Sequence, residues 1–350
     1  MVSITDIAAR LGVSRTTVSL VLNNRSDQLR ISDATRSRIL STAGEMGYRV
    51  NALARAASTG NSRVLGFLTT APDEGPSARI LTGAIDEATR QGFFVKVLRI
   101  HNDSALDDDA LERCLEMRLG ALFCVYLSGS GVQVLRDALE PHSVPLAVVD
   151  DVDTPQNCGL HILSDYESGM DAAVDHLFAL GHRRIGLLMG LSEQELGARQ
   201  RRHAFERAMA LHQLTVVPDW VRAGDWGPNE TDAVAREVLS LSPAPTAIIA
   251  GTDFTGLAVI RAARGLGLRV PDDVSILGFG DARIGDWADP PMAVVAQPFA
   301  AMGQMAVRHL LERLPQKEMP WSDPAREIRL PTELILRAST ARVSQTNTQP

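Results

Sequence analysis

ITDIAARLGVSRTTVSLVL, residues 4–22, reads as two short helices and a tight turn. Ile7, Ala8 and Leu11 fall at i, i+1 and i+4, so they share one helical face. Gly12 interrupts that helix. Ser14 is placed to cap a second one, because its side-chain oxygen can take up an orphan N–H of the first turn. Val18, Val21 and Leu22 give the second helix its own apolar stripe. Two short helices joined by a Gly turn and packed through small apolar side chains make a helix-turn-helix.

In that motif the second helix enters the DNA major groove and reads bases from its N-terminal end. Its outward face here is Arg15, Thr16, Ser19 and Leu20. Arg15 can fork onto guanine, Thr16 and Ser19 can reach base edges or phosphates, and Leu20 offers only an apolar contact. The competing reading of these residues is a solvated face on a small bundle. Ser32 opens a third helix, with Ile39, Leu40, Ala43 and Met46 as its stripe and Gly47 at the C-cap position. Residues 48–60, YRVNALARAASTG, then read as a short Ala-rich helix before a flexible run.

Charge divides the chain at the same place. Residues 1–60 hold eight arginines against four acids, a net +4, which leaves −11 for the remainder of a chain that totals −7. A basic head on an acidic body is expected where only the head touches nucleic acid. At 350 residues and 45% hydrophobic, the chain has material for two or three domains. Cys114, Cys124 and Cys158 lack CxxC spacing and read as buried thiols. Asp107, Asp108 and Asp109 are consecutive, so on a helix they point apart, and they read as a solvated helix start rather than a metal cluster. No signal peptide and no membrane-spanning stretch is expected.

Beyond residue 63 short apolar runs alternate with amphipathic helices. Strands are expected at Val64–Thr69, Phe93–Ile100, Ala121–Leu127 and Pro145–Val149, then at Arg184–Met189, Thr246–Ala250 and Val274–Phe279. Helices are expected through Met117, to Leu139, and over Arg199–Leu211, Glu230–Leu241, Thr255–Arg264 and Gln304–Leu314, with a final strand at Arg329–Leu336 and an unstructured tail over 341–350. The series occurs twice around Ser164–Gly181. The fold class is therefore α/β: an N-terminal all-α helix-turn-helix head plus two doubly wound parallel-sheet subdomains, as in periplasmic binding proteins. A ligand would lie between the two, at the carboxyl ends of the strands. An NAD-dependent enzyme is excluded, because the first strand ends in Thr69-Thr70-Ala71-Pro72 and lacks a GxGxxG turn. Neither an HExxH nor an ordered Ser-His-Asp set stands out, and no cofactor or metal is expected.

VSITDIAARLGVSRTTVSLVLN at 2–23, SDATR at 32–36 and GYRVNALAR at 47–55 resemble the LacI/GalR family of bacterial transcriptional regulators. So do DHLFALGHRRIGLLMG at 175–190, GDW at 224–226, the stretch from Thr246 to Asp281, and AVVAQPFAAMGQMAVRHLLERL at 293–314. The resemblance covers roughly residues 3–340. It implies a helix-turn-helix domain at 1–48, a hinge helix and linker at 49–62, and an effector-binding and dimerisation domain of two subdomains at 63–340. It further implies a cytoplasmic, nucleoid-associated homodimeric repressor that binds palindromic double-stranded operator DNA under the control of a sugar-like effector. A nucleoside or other metabolite is the alternative effector, and a solute-binding protein without a regulatory role is the alternative class.

The candidate DNA contacts are Thr5, Ser14, Arg15, Thr16, Thr17, Ser19 and Leu20 in the two helices. Asn23 and Arg25 follow in the loop, and Asn51, Ala54 and Ala57 in the hinge. Leu20 stands where relatives often carry Arg. Ala57 stands where the family has a leucine wedge in the minor groove, so weaker operator bending is expected; a bend equal to that of leucine-bearing relatives would contradict this. In the body the resemblance places effector contacts at Thr70, Arg201, Trp226, Asp253, Asp281 and Gln297, with Tyr126 and Trp287 as further cleft candidates. A carboxylate just past a buried strand can instead simply cap the next helix. Thr252 stands where many relatives have Asn, a departure from the usual pair with Asp253.

Overall fold

The computed structural model describes residues 2–22, 31–48, 62–73, 75–100, 112, 116, 119–150, 159–193, 195–224, 227–314 and 326–344. Asn23, Arg25, Asn51, Ala54, Ala57, Trp226, Cys114, Cys158, Asp107–Asp109 and most of the helix expected through Met117 lie outside these residues. The chain divides into two units, Met1–Arg63 and Val64–Pro350.

In the first unit α1 (Ile4–Leu11), α2 (Arg15–Leu22) and α3 (Asp33–Glu45) enclose Ile7, Ala8, Val18, Val21, Ile39 and Ala43. Ser3 and Asp6 form a capping box on α1, and Gly12 turns the chain at φ +68°. Ser14 Oγ accepts from the Thr17 N–H at 3.0 Å, the cap expected of it, worth about 1 kcal/mol. Ser32 caps α3. One stripe position differs from expectation. Leu40 is 46% exposed, and Thr42 turns inward beside Ala43 instead. Ile39 and Ala43, four apart, already fill the narrow face that a three-helix core offers α3, and Leu40 falls beside it.

The second unit repeats one topology. Strands β1 (Val64–Thr69), β2 (Phe94–Arg99), β3 (Ala121–Val125), β4 (Leu146–Val149) and β5 (Leu160–Ser164) join β11 (Arg326–Leu330) in a parallel sheet ordered β2-β1-β3-β4-β5-β11. Strands β6 (Ile185–Leu188), β7 (Val221–Arg222), β8 (Ala247–Ala250), β9 (Ser275–Gly280) and β10 (Ala293–Ala296) take the same order in a second sheet. There β12 (Glu333–Ile335) pairs antiparallel with β10. β1, β3, β4, β6, β8 and β9 run almost entirely buried, as strands covered on both faces must. β2 is an edge strand and leaves Phe94 exposed.

Helices α4 (Gly75–Arg90), α5 (Gly129–Leu139) and α11 (Phe299–Arg313) cover the first sheet. Helices α6 (Tyr166–Ala179), α7 (Leu196–Leu211), α8 (Pro228–Leu239), α9 (Asp253–Gly265) and α10 (Ala282–Trp287) belong to the second. α4 and α11 approach through Gly83 and Gly303: a Cβ on Gly83 would overlap the backbone of Ala300, and one on Gly303 the backbone of Ile80. The chain crosses between sheets three times, at Asp165, at Gln297–Pro298 and at Pro331–Thr332.

Two expectations at the C-terminus are corrected. The strand expected over Arg329–Leu336 is two strands in different sheets, because Pro331 has no N–H to continue a ladder. The tail is not free from residue 341. Ala341 N donates to Ser275 Oγ at 3.1 Å, and its carbonyl meets His182 Nε2 at 3.0 Å. Val343 N donates to the Leu180 carbonyl at 3.0 Å. Its backbone hydrogen bonds hold this polar run, which side-chain hydropathy does not register.

Candidate functional site

The carboxyl ends of both sheets open onto one cavity of about 780 Å³. Both sheets reverse strand order there, between β1 and β3 and between β6 and β8, which is where such sheets leave a crevice. The cavity wall includes Tyr126, Arg201, Asp253, Asp281 and Gln297, five of the eight contacts and cleft candidates expected from the sequence. Thr70 is not in the wall. Its hydroxyl donates to the Tyr126 carbonyl at 3.3 Å, behind the residue that is. Trp226 lies outside the described residues. Trp287, considered for the cleft, is 91% exposed and not in the wall.

Gln297 sits on a crossover, and its amide ties the two subdomains together. Its Nε2 donates to Ser164 Oγ at 3.1 Å and to Tyr166 Oη at 3.2 Å, and its Oε1 accepts from Arg201 Nη2 at 3.2 Å. Tyr166 in turn donates to Asp150 Oδ1 at 3.1 Å. The Arg201 guanidinium lies over the Tyr166 ring at 4.6 Å and the Phe279 ring at 5.2 Å. Stacking on two rings makes a buried cation tolerable. Tyr126 and Asp150, both in the wall at strand ends of the first sheet, hold left-handed backbone at φ +58° and +72°. For tyrosine this conformation is rare and strained.

Asp253 is the first residue of α9, and Thr252 rather than Asp253 caps that helix, accepting from Thr255 N at 3.1 Å. The Asp253 side chain is thereby released from capping, in a residue that lines the cavity. It is only 6% exposed. Oδ2 accepts the Asp281 N–H, while Oδ1 is buried with no hydrogen-bond partner among the described residues. Burial pushes its pKa up to about 7; the nearby Asp281 charge adds to this, and the Asp281 N–H with the charges of Arg201 and Arg337 opposes it. Gly280, at φ +144°, makes the arrangement possible, since a Cβ there would collide with the Asp253 carboxylate.

Asp281 caps α10 through Arg283 N at 3.1 Å, lines the cavity, and pairs with Arg79 of α4 at 3.6 Å. That ion pair joins the two subdomains. Sequence reasoning missed Tyr166, Phe254 and Phe279. Phe254 follows Asp253 on α9 and is 67% exposed in the cavity wall; an apolar side chain just past a strand end carrying a candidate carboxylate was the available signal.

On the head, Thr5, Ser14, Arg15 and Thr16 are exposed, and Thr17, Ser19 and Leu20 are half-buried. The N-terminal end of α2 thus presents Arg15 and Thr16 outward, while the Ser14 and Thr17 hydroxyls face each other at 2.8 Å. Among the described residues no His, Cys, Asp or Glu group could hold a metal, and no helix is long and apolar enough to cross a membrane.

A helix-turn-helix unit on a two-sheet body with a central cavity defines a class of ligand-responsive DNA-binding regulators. Residues 3–51 match the family described as bacterial regulatory proteins, lacI family, and residues 174–340 match the periplasmic binding protein-like domain. The chain is 30% identical over 341 residues to the HTH-type transcriptional repressor PurR of Haemophilus influenzae (strain PittEE), covering 97% of this chain and 98% of that one. It is 29% identical over 318 residues to the PurR repressor of Aliivibrio salmonicida, covering 91% and 93%. Among solved structures, the Lac repressor dimer bound to operator and the anti-inducer ONPF matches with a TM-score of 0.82 at 27% identity, over 97% of this chain and 99% of that chain. The chain belongs to the lacI family of bacterial regulatory proteins.

Proposed function

We propose that this protein is a homodimeric transcriptional repressor, and not an enzyme, that binds a palindromic operator and is controlled by a small molecule in the cavity between its subdomains. The observation that carries the reading is the pairing, in one chain, of an α2 N-terminus presenting Arg15 and Thr16 with a cavity whose wall holds Arg201 and the half-satisfied Asp253. The chain is divided as a reading head at 1–48, a hinge at 49–62 and an effector and dimerisation body at 63–340. Two heads related by a two-fold axis read two half-sites. Asn51, Ala54 and Ala57 act in the hinge at the operator centre. The protein works in the cytoplasm, on the nucleoid.

Arg201, Asp253 and Asp281 are the polar anchors of the effector, and Tyr126 and Trp226 its covers. Gln297 acts by joining the subdomains. A sugar or sugar derivative suits this set, since Asp253 Oδ1 accepts a hydroxyl and aromatic faces take the apolar side of a ring. Solved Lac repressor structures hold small molecules, the anti-inducer ONPF in one and ONPG in another, which supports a small-molecule effector. A nucleoside is the second reading, favoured by Phe254 and Phe279 in the wall, which would stack on a base. Effector binding shifts operator affinity only by its preference for one closure state, typically about 1–3 kcal/mol.

Selection of the purified protein against a random DNA library, with and without a pool of sugars and nucleosides, tests this. A palindrome whose recovery depends on the pool is expected. No enrichment in either arm would refute the operator-reading function. Arg15→Ala should weaken the selected site by about 1–3 kcal/mol and relax one base position in each half-site, read by the same selection.

A further inference from the structure

Among the described residues the cavity wall carries five carboxylates, Asp73, Asp150, Glu195, Asp253 and Asp281, against two cations, Arg201 and Arg261. Both cations are already engaged. Arg201 is sandwiched between Tyr166 and Phe279 and donates to Gln297. Arg261 Nε donates to Asp232 at 3.0 Å, and its Nη2 to the Pro228 carbonyl at 2.8 Å.

Helix N-termini around the cavity are the other source of positive potential, and alone they would favour an anion. Here the chain supplies the anions itself. α7 begins after Glu195, α8 carries Glu230 in its first turn, and α9 begins with Asp253. What the wall lacks is a hydrogen-bond donor for the buried Asp253 Oδ1. An O–H or N–H of a ligand supplies one to the ionised carboxylate, whereas an ionised phosphate oxygen has no proton to give it.

We infer that the cavity accepts an uncharged, hydroxyl-bearing ligand and rejects the same ligand once it is phosphorylated. This rests on the reading of the cavity as the effector site. A phosphate brought into the wall would lose water and meet five carboxylates against two cations, Arg201 and Arg261, each of which already holds partners within the chain. Repulsion of this kind selects against a wrong ligand at little cost to the right one.

Calorimetric titration of the full chain with matched pairs tests the inference: glucose and glucose 6-phosphate, trehalose and trehalose 6-phosphate, ribose and ribose 5-phosphate, guanosine and guanosine monophosphate. In any pair that binds, the neutral member should bind at least about tenfold more tightly, and the gap should narrow in added salt, as a repulsion between charges does. A phosphorylated member that binds as well as its neutral partner overturns the inference and leaves the effector-site reading standing. A gap unmoved by salt means that size rather than charge excludes the phosphate, and likewise overturns it. Failure of every pair to bind overturns the sugar and nucleoside reading, and the inference falls with it.

Discussion

The two subdomains of the body share a strand order and differ in what their strand ends do. In the first, the ends of β3 and β4 supply Tyr126 and Asp150, both held in left-handed backbone, while Thr70, after β1, stays behind the wall. In the second, the ends of β8 and β9 supply Asp253 and Asp281, and α7 adds Arg201. One topology, used twice, places Asp253, Asp281 and Arg201 on one side of the cavity and Tyr126 and Asp150 on the other. The difference comes from residue type at equivalent strand ends, since the sheets place both sets at the same crevice.

Arg201→Ala should break this division most severely. It removes the one cation of the wall that both stacks on Tyr166 and Phe279 and holds Gln297 Oε1. Effector affinity should fall by roughly 100-fold or more, and stability by about 1–3 kcal/mol, because a buried acceptor loses its donor. Operator binding without effector should persist, measured by anisotropy on labelled DNA. Loss of both functions with the fold intact would make Arg201 a general strut rather than a ligand anchor.

Asp253→Asn should have the next largest effect, and its signature is pH. Asp253 titrates near 7, well above an unfolded carboxyl. Between about pH 4 and 7 the folded state therefore holds a proton that the unfolded state has released, so stability falls as pH rises and levels off above 7. At about 1.4 kcal/mol per pH unit, the loss is of the order of 3–5 kcal/mol. Asparagine keeps an acceptor for the Asp281 N–H and removes the titration, so the variant should be more stable than the parent at pH 8 and nearly equal to it at pH 4. Other titrating groups, including His176 and His182, whose pKa values burial lowers, cancel in that difference. In the parent, a hydroxyl ligand that donates to the carboxylate should bind more tightly as pH passes upward through 7. Urea midpoints across pH 4–8, for both proteins, check the sign.

Tyr166→Phe sharpens the comparison at the junction between the halves. The lost hydroxyl bridges Gln297 and Asp150, so about 1–2 kcal/mol of stability should disappear in urea titrations. Effector affinity should change less than the transmission of its effect to DNA, since the junction rather than the anchors is damaged. Equal losses in affinity and in transmission would place Tyr166 with the anchors.

Local pattern made much of this legible, and long-range pairing made the rest invisible. Stripes at i, i+3 and i+4 and the caps Ser14 and Ser32 located the head helices, because these interactions span four residues or fewer. Runs such as Ala247–Ala250 announced buried strands. Hydropathy does not say which sheet a strand joins. β11 and β12 therefore read as one strand until Pro331 was seen to send them to different sheets. Asp253 and Arg201 were legible as candidates through family resemblance, but Thr252 taking over the cap, and the room left by Gly280, exist only in the fold. Tyr166 gave no signal, since its partners Gln297 and Asp150 are 131 and 16 residues away.

The smallest effect tests the quiet side of the comparison. If the first subdomain's strand ends support the wall without touching ligand, Thr70→Val should be nearly silent. The substitution keeps the branched shape and removes one half-buried hydrogen bond of 3.3 Å to the Tyr126 carbonyl. A bond that long, open to water on one side, should contribute no more than about 0.5–1 kcal/mol. Its loss should be felt at Tyr126, whose strained backbone it helps to hold, and only indirectly in the cavity. Effector affinity should stay within about twofold of the parent by calorimetry, against roughly 100-fold for Arg201→Ala. A tenfold loss at Thr70 would mean that closure brings the β1 end onto the ligand, and that both subdomains read it.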